Sequence, residues 1–205
     1  MLWLFENKRS RLLILRIDLY FRPIAKDWGA SIEAQETYEK FMRALREDRI
    51  IKDVMGSISK REVGVDRGIH YHILVAVDGH LHWDAANLTK MLGERWVEMC
   101  GEDPTGLYPK ASYFNCYALK DLYEFNCIGL VRANDKLKMK GLEIAIRYLC
   151  KETCHLKPGV IEIMGADGEV VRKGVVGKRN IRKGIVKKIA GKKRGAPRRQ
   201  SIAQA

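Results

Sequence analysis

Hydrophobic and polar positions along the chain switch between two periods, and each switch marks an element. Between Leu12 and Phe21, Leu13, Leu15, Ile17 and Leu19 alternate with Ile14, Arg16, Asp18 and Tyr20, the period of a strand. A connection containing Pro and Gly follows, from Arg22 to Ala30. Ser31 then reads as an N-cap. Ala34, Tyr38, Phe41, Met42 and Leu45 have helical spacing, which predicts a helix to about Arg49. A second strand is expected between Ile51 and Val63. A turn over Gly64–Gly68 leads to a third, Ile69 to Val77, closed by Asp78-Gly79. Asp84 caps a helix that buries Leu88, Met91, Leu92, Trp96 and Met99 and stops at Gly101. Strands around Tyr113–Tyr117 and Glu124–Val131 come next. A third helix, capped by Asn134 or Asp135, runs from Lys136 to about Glu152.

The order β-α-β-β-α-β-β-α with short links predicts an α+β fold: an antiparallel sheet of four to five strands with helices packed on one face. Residues 1–169 form this body, ending in a small hairpin, Val160 to Val171, around Gly165-Ala-Asp-Gly168. The pattern contains no internal repeat.

Charge sharpens the division. The 205-residue chain is 46% hydrophobic, enough for a core, and carries a formal net charge of +13. Thirteen of its 38 Lys and Arg lie after residue 169, where no Asp or Glu follows, so the remaining 25 balance the 25 acidic residues. The body is neutral and the excess belongs to a basic tail, residues 170–205. Five glycines there, Gly174 to Gly195, favour a flexible extension that contacts nucleic acid phosphates. The alternative is a basic helix over Ile181–Ala190, with Ile181, Ile185 and Ile189 in one stripe. No apolar run is long enough for a membrane span, and the start at Met1 lacks the form of a secretory signal. Five cysteines without a Cys-x-x-Cys pair point to reduced thiols and a cytoplasmic protein.

Three constellations carry chemistry. In His70-Tyr71-His72, alternation along a strand puts both imidazoles on one face, where they can share a divalent metal. Glu62, on the preceding strand of the hairpin, would pair near His70 and supply a third ligand; Asp66 is the fallback. The competing reading is two histidines in ordinary packing. His80 and His82 lie past the strand's end and read mainly as loop polar residues. The third constellation is Tyr148 and Lys151, three apart on one helical face. A free phenol is a poor nucleophile, and a neighbouring cation eases its ionisation. The competing reading makes Tyr148 a half-buried core residue and Lys151 a solvated charge.

Taken in order, the segments Gly68-Ile-His-Tyr-His72, Asp78-Gly79, Gly93-Glu-Arg-Trp96, Tyr113-Phe-Asn115, Ile128-Gly129 and Ala145-Ile-Arg-Tyr-Leu-Cys-Lys151 resemble the His-hydrophobic-His (HUH) endonucleases. The likeness spans residues 12 to 157. It is closest to the replication proteins of filamentous, inovirus-type phages and their prophage relatives, the YagK/YfjJ C-terminal domain group. The resemblance implies Mg²⁺ or Mn²⁺ held by His70, His72 and Glu62, with Tyr148 as nucleophile and Lys151 assisting at phosphate. It implies a single-tyrosine enzyme that nicks and rejoins single-stranded DNA at an origin to initiate rolling-circle replication. Host helicase and polymerase would be further partners. Tyr71, Trp83 and Tyr113 are candidates for stacking on bases. For this group the start at Met1 is abrupt, which predicts a missing N-terminal segment. The rivals are a non-catalytic module for single-stranded nucleic acid, a relaxase or transposase with the same chemistry, and a structural chromosomal or ribosome-associated protein.

Overall fold

The computed structural model describes residues 2–6, 9–64 and 67–150, and the backbone of 159–164, 170–176 and 181–183. Its centre is a long strand, β1 (Arg11–Phe21), paired antiparallel along one edge with β3 (Gly68–Asp78). The other edge of β1 is divided. β4 (Ala111–Asn115) takes Ile17 to Phe21, and β5 (Gly129–Arg132) takes Arg11 to Ile14. On the far side β3 forms a hairpin with β2 (Val54–Gly64). The hairpin's tight return is made at Gly68, whose φ of 64° lies in the left-handed region that favours glycine.

The sheet is antiparallel, as its hairpin links predict, but helices cover both faces. On one face Leu13, Leu15, Ile17, Leu19, Ile73 and Val75 pack against α3 (Ile32–Arg46) and α4 (Ala85–Cys100). On the other, Leu12, Ile14, Met55, Ile58, Leu74 and Ala76 meet Leu4 of α1 (Leu2–Glu6) and Leu142 and Leu149 of α5 (Lys136–Cys150). The expectation of helices on one face fails because the "polar" phase of these strands is itself apolar for half its length. A strand buried on both sides reads as a nearly continuous hydrophobic run. A short helix, α2 (Lys26–Gly29), lies in the first connection.

Boundaries move for local reasons. Ser31 caps α3 through Ala34 N–H, but the helix stops at Arg46. Asp48 then turns left-handed, with φ of 57°, and its carboxylate accepts from Val54 N–H. The strand expected at Tyr113–Tyr117 is β4, after which Cys116–Leu122 tightens into 3₁₀ turns capped by Asn115. Only the end of the expected Glu124–Val131 strand forms, as β5. Asn126 accepts from Ile128 N–H, and Gly129 has a φ of 93°. Asp135, rather than Asn134, caps α5, accepting from Lys138 N–H.

The hairpin near the C-terminus is β6 (Gly159–Met164) with β7 (Val170–Val176), a separate two-stranded sheet. Residues 181–183, the start of the helical alternative, form a strand instead. This β8 (Ile181–Lys183) pairs with Ile58–Lys60 on the outer edge of β2. Both β7 and β8 fall in the stretch read as a tail; its remaining residues lie outside the described ones. No described helix is long and apolar enough to cross a membrane.

Candidate metal centre

Two rungs of the sheet, separated by one that faces the other way, build the site. In the register, Tyr20, His70 and Glu62 lie side by side across β1, β3 and β2, and Asp18, His72 and Lys60 form the next rung on the same face. All six side chains share the α5 face, because each strand alternates with period two. Glu62, His70 and His72 each offer a ligand atom, and these atoms lie within 4.8 Å of one another. This group can hold a metal ion.

The imidazoles are oriented for that purpose. His72 Nδ1 lies 2.7 Å from Asp18 Oδ1; a carboxylate only accepts, so Nδ1 carries the proton. His70 Nδ1 lies 3.2 Å from the carbonyl of Gly68, which imposes the same tautomer. Nε2 of each ring faces Glu62 Oε2, at 3.3 Å from His72 and 3.6 Å from His70; a proton there donates to the carboxylate, and a bound metal would take the Nε2 lone pairs in its place. Outer partners of this kind set ring orientation and raise ligand basicity at metal sites. Two imidazoles and one carboxylate are a donor set for a divalent ion with open positions, so the residues present fit such a metal. Burial pushes the Glu62 carboxyl up, but the Lys60 hydrogen bond and nearby His72 outweigh it and hold it below the ordinary range. Glu62 is thus a carboxylate near neutral pH, as a ligand must be.

Tyr148 stands over this patch. Its ring centroid is 6.3 Å from that of His72, and the residue is 46% exposed. The Lys60 ammonium, itself buried and bonded to Glu62 Oε1 at 2.7 Å, lies 5.0 Å from the Tyr148 ring. The Arg16 guanidinium lies 5.9 Å from the same ring and 5.5 Å from that of Tyr123. Its Nε has no hydrogen-bond partner among the described residues. Tyr20 stacks on His70 at 5.7 Å and donates to Asp18 Oδ2 at 3.4 Å. Burial first, and then the Asp18 charge, pushes its phenol up to about 12.

Other expected participants go elsewhere. Lys151 and Asp66 lie outside the described residues. His80 and His82, beyond the opposite end of β3, pair with Ser10 and Asp53 respectively. Tyr71 is no stacking platform: it is buried on the α3/α4 face against Tyr38, ring centroids 3.7 Å apart. Alternation from His70 and His72 already requires it to point away from them. Trp83 is 82% exposed; Tyr113 is the exception, partly buried beside α4 but lining an open cavity that Asp18 and Tyr20 also line.

Sequence reasoning gave no role to Asp18, Lys60, Arg16 or Tyr20. For Arg16, Asp18 and Tyr20 the signal was present: each is a polar or amphipathic residue set into the apolar strand β1, in the alternation phase that faces α5. Comparisons with protein-family models, with curated proteins and with solved structures return no match for this chain.

Proposed function

We propose that this protein is a metal-dependent, single-tyrosine endonuclease that nicks and rejoins single-stranded DNA and initiates rolling-circle replication of a phage or prophage-like element. The observation carrying this reading is the placement of Tyr148 over the Glu62–His70–His72 group, from a different element of the chain. A packing role for the histidines would not call for a half-exposed phenol and two cations at the same spot.

His70, His72 and Glu62 would hold Mg²⁺ or Mn²⁺, which when bound would polarise the scissile phosphate. The Tyr148 oxygen loses its proton and attacks phosphorus, forming a P–O bond to the protein. The bond to the 3′ oxygen breaks, and that oxygen takes up a proton to become a free 3′-hydroxyl. The 5′-phosphotyrosine keeps the bond energy, so attack by a 3′-hydroxyl reverses the step and joins strands. Asp18 and the Gly68 carbonyl fix the imidazoles. Lys60 steadies Glu62 and, with Arg16, places positive charge beside the ring of Tyr148, where phosphate charge would gather. Lys151 remains a proposed assistant, by resemblance.

The test uses the full chain, Mn²⁺ and a labelled random-sequence pool of single-stranded oligonucleotides, run on a denaturing gel. The wild type is expected to give a covalent protein–DNA band that Tyr148→Phe and EDTA each abolish. An adduct persisting in Tyr148→Phe assigns the nucleophile elsewhere. No adduct from the wild type refutes the enzyme reading.

A further inference from the structure

Beside the metal centre the surface opens into a cavity of about 650 Å³, within the ~300–1,000 Å³ range of small-molecule sites. β1, β4 and the 3₁₀ segment after it form its walls. Asp18 and Tyr20 line the cavity and also hold the two histidines, so its inner end adjoins the metal group. Phe114 pairs with Asp18 in the register and therefore shares its face, and it is 38% exposed. Tyr123 closes the far side, next to Arg16. Lys26 and Arg67 bring positive charge, with the Arg67 guanidinium 5.7 Å from the Tyr20 ring.

We infer that this cavity takes one unstacked base of the single strand, adjacent to the phosphate engaged at the metal centre; the inference rests on the proposed DNA-cleaving reading. Aromatic walls offer π-faces to a base of any identity, and cations at the lining meet the flanking phosphates. The geometry suits a nucleotide next to the scissile bond. A strand crossing from Tyr148 toward β4 passes Arg16 and then Tyr123, so its phosphate and its base meet complementary groups in turn. The charge count agrees: the body has no net positive charge to hold DNA by phosphate neutralisation alone, so stacking must contribute specific affinity there.

The test compares binding of two probes by fluorescence anisotropy: an octathymidylate, and an octamer of abasic units with the same phosphates. Full-length protein with Mn²⁺ is used in a Tyr148→Phe background, so that no strand is cut. Octathymidylate should bind about tenfold more tightly than the abasic octamer, the scale of one stacked base. Phe114→Ala, which removes a wall, and Leu119→Trp, which fills the cavity, should each bring that ratio near one while leaving abasic binding unchanged. Both positions are partly exposed, so neither change should unfold the protein. A ratio that survives both substitutions overturns the base site. If the wild type forms no adduct in the nicking assay but the ratio collapses, the base site stands and the nuclease reading falls. If the adduct forms and the ratio survives, only the base site falls.

Discussion

The two faces of the sheet are built from the same strands and do opposite things. Toward α3 and α4 every inward residue of β1, from Leu13 to Phe21, is apolar, and Tyr71 to Val77 of β3 continue the layer. An aromatic cluster locks it: Trp96 touches Phe21, Tyr38, Phe41 and Tyr71 at ring-centroid distances of 5.5 to 6.3 Å. Toward α5 the layer is apolar for only half its length. Leu12, Ile14, Leu74 and Ala76 give way to Arg16, Asp18, Tyr20, His72 and His70. One face can therefore supply most of the stability, while the other carries charged groups whose desolvation opposes folding unless they are paired. The complete face lets the incomplete one exist.

That contrast makes the first prediction the largest. Trp96 is fully buried, and its indole N–H reaches the Tyr20 carbonyl at 3.4 Å. Trp96→Ala should cost about 3–5 kcal/mol, as large aromatic deletions in packed cores do. Urea unfolding of the two proteins measures it. A loss under about 1 kcal/mol would mean that the α3/α4 face is not the stabilising one.

A smaller effect tests the polar face. Asp18→Asn keeps size but removes the charged acceptor that fixes the His72 tautomer. Affinity for Mn²⁺ should fall about 10–100-fold, the usual cost of losing such an outer partner. Calorimetric titration reads the affinity directly. Thermal shift supplies a second readout: Mn²⁺ at a hundred times its dissociation constant should stabilise the wild type by about 2.7 kcal/mol. His72→Ala should remove that stabilisation. Equal Mn²⁺ affinity in the wild type and in both variants would sink the metal centre while leaving the fold untouched.

Legibility in the sequence follows the same division. Ser31, Asp84 and the turn at Gly64–Gly68 announce helices and hairpin with local chemistry, and the structure places them there. The pairing of Glu62 with His70 was legible because a hairpin turn fixes register. What stayed hidden was non-local. Nothing in the sequence says that β1 lies against β3 with Asp18 opposite His72, since strands so far apart pair through the whole fold. The same gap hid the second helical face: Leu12 and Ile14 look like a strand's core or its margin until α5 is seen lying on them. Lys60 was overlooked for another reason. A lysine usually belongs at the surface, and only the carboxylate two residues on accounts for its burial.

The effect that is smallest near neutral pH, and that emerges only in alkali, compares the faces through their thiols. Cys100 lies in the α3/α4 core and Cys127 in the α5 core. Burial pushes the first up to about 12 and the second up to about 11, from an ordinary value of 9.0. In the unfolded chain both thiols ionise near that ordinary value, so above it the unfolded state has released protons that the folded state still holds. Stability from these groups is therefore fully present below pH 9 and declines as pH rises, until each folded-state pKa is reached. Replacing either cysteine with Ala should flatten the alkaline decline by at most about 1.4 kcal/mol per pH unit. Urea midpoints collected from pH 8 to 12 for the wild type and each variant measure the change. If Cys100→Ala leaves the alkaline slope unchanged, the thiol ionises without unfolding, and the α3/α4 face is more open to water than its packing indicates.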